Sequence, residues 1–359
     1  MKNNFGYNIN MTIFGESHGP CIGITLDGLP AGFQIDWQQV QSDLNARKPK
    51  NKLSTSRKEA DDFQILSGYF NHHTTGSALT ILIRNQDVRS KDYDPDLLRP
   101  SHADFTAYEK YNGYQDYRGG GHFSGRLSAC IVAAGSICRQ ILAKKGILIG
   151  THIESIHHIV DDAFSSQIEE EIIYLNQKDF AVLNPKREKE MKEVILQASK
   201  NQDSVGGILE TAILHLPTGV GEPFFDSIES VLSHLLFSIP AVKGVSFGDG
   251  FDITKKYGSQ ANDVFIFQND TIQTQTNHSG GIQGGLSNGM PILIHTAIKP
   301  TASIAQVQSS INYQTKEAID LQIHGRHDPC IVHRARIVVD SIVAFGILDL
   351  MMSRKANQL

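Results

Sequence analysis

Cysteine is scarce in this chain of 359 residues, and the four present (Cys21, Cys130, Cys138 and Cys330) include no CxxC pair. That excludes a disulfide framework and gives no zinc-knuckle pattern. Excess positive charge is also missing: the formal net charge is -5, which argues against a nucleic-acid surface. No uninterrupted apolar run reaches the roughly 18 residues that a membrane helix needs. The first ten residues are polar and lack the charged-then-apolar order of a signal peptide. Low-complexity linkers are absent as well. Hydrophobic residues at 40% and charged residues at 20% describe a chain able to bury a sizeable core. The expectation is a cytoplasmic, reduced protein without nucleic-acid or membrane partners, with Cys130 and Cys138 as small core residues.

Alternation and apolar spacing mark strands at 7–14, 21–26, 77–83, 147–156, 208–216, 264–267 and 291–298. Asp36 is placed to cap a helix carrying Trp37, Val40 and Leu44. The longest buried helix is expected over 124–145, a charged amphipathic surface helix over 186–200, and a last apolar helix over 340–352. Strands adjacent in sequence suggest antiparallel sheets. Leu29-Pro30-Ala31-Gly32 recurs as Leu216-Pro217-Thr218-Gly219, in both cases after a strand and before an Asp-capped helix, the second opened by Asp226. If the recurrence is real, the chain is two related halves, about 1–185 and 186–359, built around one core.

What the chain does carry is a dense motif at Phe14-Gly15-Glu16-Ser17-His18-Gly19. Gly-x-Ser-x-Gly matches a serine nucleophile elbow, which requires strand, sharp turn, then helix. Here Pro20 and a further strand follow, so the context is wrong. A tight glycine turn with incidental polar residues is one remaining reading. The other is a functional loop with His18 as acid or base.

Four further segments suit anions or flat ligands. Residues 47–58 hold six cations in twelve positions, either a solvated loop or a funnel for a polyanion. Arg118-Gly119-Gly120-Gly121-His122-Phe123-Ser124-Gly125-Arg126 is neither a Walker loop nor a dinucleotide fingerprint, but its glycines free the backbone to curl around an anion. Ser279 to Gly285 contains paired glycines, and Lys299-Pro300-Thr301-Ala302-Ser303 offers phosphate contacts. His324-Gly325-Arg326-His327-Asp328-Pro329-Cys330 lacks a third metal ligand of suitable spacing, so no metal is expected, and Asp328 reads as a carboxylate fixed in a rigid loop. His72-His73 and His157-His158 read as surface residues.

Taken together, these segments resemble chorismate synthase nearly along the whole chain. The resemblance runs through Phe14-Gly-Glu-Ser-His-Gly19, Ile65-Leu-Ser-Gly68, Thr74-Thr-Gly76, Asn85-Gln-Asp-Val-Arg-Ser-Lys-Asp-Tyr93 and Arg99-Pro-Ser-His-Ala-Asp104. It continues through Asp116-Tyr-Arg-Gly-Gly-Gly121, Gly219-Val-Gly-Glu-Pro-Phe224, Ala241-Val-Lys-Gly-Val245, Gly248-Asp-Gly-Phe251, Ser279-Gly-Gly281, Lys299-Pro-Thr301 and Gly325-Arg-His-Asp-Pro-Cys330. It implies a single domain over 1–359, an α/β (α+β) fold with helices sandwiched between two antiparallel β-sheets. It also implies a trans-1,4 elimination of phosphate from 5-enolpyruvylshikimate 3-phosphate to give chorismate. Reduced FMN is required without net oxidation.

The resemblance assigns His18 as proton donor to the reduced flavin, His102 as proton donor toward the leaving phosphate, and Asp328 as proton acceptor from the flavin. FMN is expected against His122, Phe123, Ser124, Gly284, Lys299, Pro300, Thr301, Ala302, Ser303 and Arg326, with further contacts at Pro240 and Ala241. Arg47, Arg99 and Arg126 are expected at the substrate, and Arg47 at NADP. A homotetramer and an external flavin reductase are the implied partners. The chain departs from the family pattern at His122-Phe123-Ser124-Gly125, where Arg-Ser-Ser-Ala is common, and at Lys48-Pro49-Lys50-Asn51-Lys52. It departs again at Pro240, where asparagine is usual, and at Ser101, where glycine is usual.

Overall fold

The computed structural model describes residues 2–49, 53–54, 59–86, 93–268, 270–323 and 327–356. Arg326 and most of the basic run 50–58 lie outside them.

Five strands form the first sheet: β1 (Asn4–Phe5), β2 (Asn10–Gly15), β3 (Cys21–Asp27), β4 (Phe63–Ser67) and β5 (Leu79–Arg84). Their order is β1-β2-β3-β5-β4, antiparallel throughout. The second sheet contains β6 (Leu148–Ile156), β7 (Ile159–Val160), β8 (Gly207–Leu214), β9 (Val242–Phe247) and β10 (Ile292–Ile298). It runs β9-β10-β8-β6-β7, also antiparallel.

The helices of eight or more residues are α1 (Trp37–Arg47), α2 (Asp104–Tyr111), α3 (Ser128–Ala143), α4 (Ile168–Leu175), α5 (Pro185–Lys200), α6 (Ile228–Leu236) and α7 (Val332–Ala356). Helices α3 and α7 pack on each other. α3 also rests on β2, β3 and β5 of the first sheet, and α7 on β6 and β8 of the second. This is the helix layer between two antiparallel sheets that the resemblance implied.

Local chemistry explains why these elements form. Asp36 accepts from the backbone N–H groups of Gln38 (2.9 Å) and Gln39 (3.1 Å), capping α1 as expected. α6 is capped by Ser227, which accepts from the N–H of Ser230 at 3.1 Å, rather than by Asp226. Asp226 sits in the short 3-10 turn just before. Ile22, Ile24 and Leu26 on β3 face Ile83, Ile81 and Leu79 on β5, and all six are buried. Each such side chain contributes about 1.5–3 kcal/mol by leaving water. α3 is buried along nearly its whole length, because it is covered on both sides. Gly135 brings it against α7: a Cβ there would stand 2.3 Å from the Ser341 Cβ.

Two expectations change and one holds. The longest helix is α7, with 25 residues, not the one begun near 124, which opens with a 3-10 turn and becomes α-helical at Ser128. Helix α5 is the charged amphipathic surface helix expected, burying Met191, Ile195 and Ala198 along one face. The stretch Gly125–Ala143 is long and apolar enough to cross a membrane by length and composition, so run length alone did not exclude one. In the fold 72% of its apolar window is buried inside the protein, as befits a core helix.

The two sheets share a plan. Strands β2, β3, β4 and β5 with helices α1 and α3 follow each other as β6, β8, β9 and β10 do with α6 and α7. The spatial order β2-β3-β5-β4 matches β6-β8-β10-β9. The two Leu-Pro-x-Gly segments occupy equivalent places, after β3 and after β8. Cys130 and Cys138 lie in the core of α3, where burial pushes both thiols up to about 12. His72, His73, His157 and His158 are exposed.

A separate polar cluster sits on the second sheet. His152 is wholly buried, with Nδ1 3.1 Å from Asp161 and Nε2 2.6 Å from Glu210. Burial opposes its charge, but the two carboxylates outweigh that and raise its pKa to about 9.

Candidate active site

The turn between β2 and β3 places Ser17 and His18 in the interior, with His18 only 9% exposed. Gly19 N–H closes the turn on the Glu16 carbonyl at 3.1 Å. The glycine-rich segment covers its other side. Ser17 N–H donates to the Gly121 carbonyl at 3.1 Å, and Ser17 Oγ donates to the Gly119 carbonyl at 2.9 Å. Gly119, Gly120 and Gly121 all adopt left-handed φ values of 60°, 80° and 52°. A Cβ on Gly119 would stand 2.4 Å from the His18 ring. The Gly119–Gly121 loop is therefore shaped around the first motif.

Ser17 is buried, donates to a backbone carbonyl, and is followed by strand β3 rather than a helix. This is not the geometry of a nucleophile elbow.

The Tyr93 ring meets His18 edge-on, with centroids 5.3 Å apart. The Arg99 guanidinium lies over the same tyrosine ring at 5.2 Å. Arg99 is held by Asp104 through two parallel bonds, of 2.9 Å from Nε and 2.7 Å from Nη2. His102 Nδ1 is 3.0 Å from the Pro100 carbonyl. That contact leaves Nε2 to face a ligand as acid or base. Burial lowers the His102 pKa first, and the nearby charges of Arg99 and Lys299 lower it further. Lys299 Nζ reaches the Ser101 carbonyl at 3.2 Å, and Lys299 N–H donates to the Ala241 carbonyl at 2.9 Å. Ser101, at the position of the expected glycine, takes a left-handed φ of 59°.

The 299–303 segment leads toward Asp328. Ser303 Oγ is 2.9 Å from His327 Nδ1, next to Asp328. Asp328 accepts from Arg334 Nη1 at 2.7 Å, which fixes the carboxylate as expected of a rigid loop. Arg334 Nε donates to the Arg47 carbonyl at 3.0 Å. Arg47 Nη2 pairs with Asp61 at 2.8 Å, and the other Asp61 oxygen accepts from Arg126. Arg126 also pairs with Glu59 at 2.8 Å and donates from Nε to Asn85 Oδ1 at 3.1 Å. Asn85 in turn binds the His18 turn. Contacts and short chain segments together close a circuit: contacts run from His18 through Tyr93 to Arg99 and the His102 backbone, Lys299 meets the neighbouring Ser101, the chain carries on to Ser303 and its partner His327, and contacts resume from Asp328 through Arg334, Arg47, Asp61, Arg126 and Asn85 to the His18 turn.

The candidate residues fall into three groups. His18, Arg99, His102, Lys299, Ser303 and Asp328 lie on the circuit, with Pro300, Thr301 and Ala302 between two of its members. Arg47 and Arg126 lie on it too, but their guanidinium groups meet buried acids rather than open space. His122 and Phe123 stack on each other with centroids 4.3 Å apart and pack against Tyr111, while Ser124 caps the turn into α3. Gly284 is at a hairpin tip held by the loop 217–228. A Cβ there would meet nothing within 4 Å.

Sequence reasoning missed Glu59, Asp61 and Arg334. No role was read for them, because nothing local announces burial beside an arginine. Asn85 and Tyr93 bounded a motif noted in the sequence, but no role was read from it.

One observation bears on a ligand. Thr301 Oγ1 is buried and finds no hydrogen-bond partner among the described residues. A buried hydroxyl without a partner costs about 1–3 kcal/mol, and a bound group with an acceptor or donor there removes that cost. No cluster of three or more metal-ligating side chains occurs among the described residues.

Comparison with known proteins adds an independent result. Residues 9–352 match the family model described as chorismate synthase. A chorismate synthase of Dehalococcoides mccartyi is 42% identical over 354 residues, covering 98% of this chain and 96% of its own length. One from Christiangramia forsetii is also 42% identical, covering 99% of both chains, and one from Pyrococcus abyssi is 40% identical, covering 98% of both. A solved structure titled as a crystal structure of chorismate synthase superposes with a TM-score of 0.77 at 25% identity, covering 98% of this chain and 93% of the other.

Proposed function

The chain belongs to the chorismate synthase family, carbon-oxygen lyases of the shikimate pathway and aromatic amino acid biosynthesis, and we propose that it converts 5-enolpyruvylshikimate 3-phosphate to chorismate by trans-1,4 elimination of phosphate. The observation that carries this reading is that contacts and short chain segments connect His18, His102 and Asp328, with Arg99 and Lys299 charged beside His102. The substrate has two carboxylates and a phosphate, and Arg99 and Lys299 are the cations beside His102 that suit them.

His102 gives the leaving phosphate its proton. In the free enzyme burial, Arg99 and Lys299 keep it neutral more often than an ordinary histidine. A phosphate dianion bound alongside offsets those cations and draws the proton on. Asp328, held by Arg334, is the proton acceptor at the other end of the circuit, and His18 is the second donor.

Bound here, reduced FMN would supply transient electron donation to the departure of phosphate, with no net oxidation. Lys299, Pro300, Thr301, Ala302 and Ser303 would hold it, with His122, Phe123, Ser124, Gly284 and Arg326. The partnerless Thr301 hydroxyl supports a polar ligand there. Arg47 and Arg126 would have to leave Asp61 and Glu59 to bind the substrate directly in this reading. We take the reductant to reach FMN from NADP chemistry or an external flavin reductase. We take the chain to be one domain of two related halves, working as a cytoplasmic homotetramer.

The test is an anaerobic assay with reduced FMN and 5-enolpyruvylshikimate 3-phosphate. Chorismate and phosphate should appear in equal amounts. FMN binding without either product would leave a non-catalytic flavin-binding homologue. Labelling of Ser17 by a fluorophosphonate would revive the hydrolase reading.

A further inference from the structure

We propose that Asn85 is the positioning residue of His18. This rests on the assignment of His18 as a proton donor made above. The argument begins with strand register. Cys21 on β3 pairs with Arg84 on β5, so the next residue, Asn85, falls beside the turn that precedes β3. Its backbone N–H donates to the Pro20 carbonyl at 3.2 Å, extending the ladder one step. The side chain then spans the turn. Nδ2 donates to the carbonyls of Glu16 at 2.9 Å and Gly19 at 2.8 Å, the two ends of the turn that carries His18. An amide nitrogen has two donors, and both are used. Oδ1 accepts from Arg126 Nε at 3.1 Å, which ties the clamp to the buried Arg126–Asp61–Arg47 group.

The clamp works with the glycine loop. Ser17 is held from the far side by Gly119 and Gly121, and the His18 ring occupies the space that a Gly119 side chain would take. Tyr93 meets the ring edge-on. The backbone of the turn is thus fixed on both sides, and Asn85 supplies the fixing on the side of the first sheet. Only a side chain with two adjacent donors and an acceptor can fill this place. Aspartate has the same shape but presents oxygen to two carbonyl oxygens, so it keeps Arg126 and loses the turn. Asn85 touches no reacting atom in this account. It acts by setting where the His18 ring stands, and a misplacement of about 1 Å is enough to cost about 100-fold in rate.

The experiment compares Asn85→Ala and Asn85→Asp with the wild-type chain, in otherwise wild-type and His18→Ala backgrounds. The first readout needs no substrate. The His18 ring protons are identified in the NMR spectrum by their loss in His18→Ala. Their position is set by the Tyr93 ring current, so both Asn85 variants should displace or broaden them at fixed pH. The second readout is turnover with reduced FMN. Both variants should lose about 100-fold in kcat with KM within about twofold, and neither should lose more when His18 is already alanine. Unmoved His18 signals would overturn the proposal, as would losses that multiply in the His18→Ala background. If the wild-type chain makes no chorismate, the proposed function falls, while the His18 signals still decide the role of Asn85. Asn85→Asp guards against a folding defect, because it preserves side-chain volume and the Arg126 contact.

Discussion

Changing Asp61 to asparagine probes the buried charges beneath the site. The Asp61 side chain is fully buried and serves two guanidinium groups, Arg47 and Arg126. Its backbone φ is +53°, a conformation that asparagine tolerates well, so Asp61→Asn removes charge without adding strain. Arg126 keeps Glu59 as a partner, whereas Arg47 loses its acid. Breaking a buried pair by removing one member costs about 3–5 kcal/mol. For 359 residues the unfolding entropy is about 0.75 kcal/mol per kelvin, so the melting temperature should fall by about 4–7 °C at pH 7.

The pH dependence has a definite sign. Burial alone would raise the Asp61 pKa, but Arg47 and Arg126 outweigh burial and hold it below the ordinary 3.8. A depressed carboxyl contributes stability above its unfolded value and loses it as pH falls through the folded value. The gap between wild type and Asp61→Asn should therefore be full at pH 7 and close only below about 3.8. Scanning calorimetry at several pH values measures it. A melting temperature within 1 °C of wild type at pH 7 would refute the claim that Asp61 neutralises Arg47.

Other consequences can be checked in the same way. His152 has a folded pKa near 9, above an unfolded value near 6.5, so its contribution of about 3 kcal/mol is full below 6.5 and lost as pH rises through 9. His152→Gln should flatten the fall in melting temperature across that window, and an unchanged slope would contradict it. Gly119→Ala should abolish turnover by displacing the His18 ring, and add about 1–3 kcal/mol of backbone strain readable by urea titration. Ser101→Gly should stabilise the chain by up to about 1 kcal/mol by relieving a left-handed serine while keeping the backbone carbonyl that Lys299 binds, and an unchanged urea midpoint would contradict it. For His102, the descending pH limb of kcat should lie at higher pH than that of kcat/KM, because bound phosphate restores the proton that Arg99 and Lys299 repel.

Local patterns carried much of this protein. The alternation at 21–26 announced β3, Asp36 announced the start of α1, and Pro20 with the strand after it excluded a serine elbow. All three depend on neighbours within a few residues, so they are written in the chain itself. The order of motifs from Gly15 to Cys330 was likewise enough to suggest the family. Tertiary structure decided what those motifs lean on. Asp61 and Arg47 are 14 residues apart, Arg126 is 65 beyond Asp61, and Arg334 reaches back 287 to Arg47. Whether an arginine meets water, substrate or a buried acid depends on which strands and helices surround it. No local pattern encodes that, and the sequence alone therefore left Arg47 and Arg126 reading as open cations when the fold had already paired them.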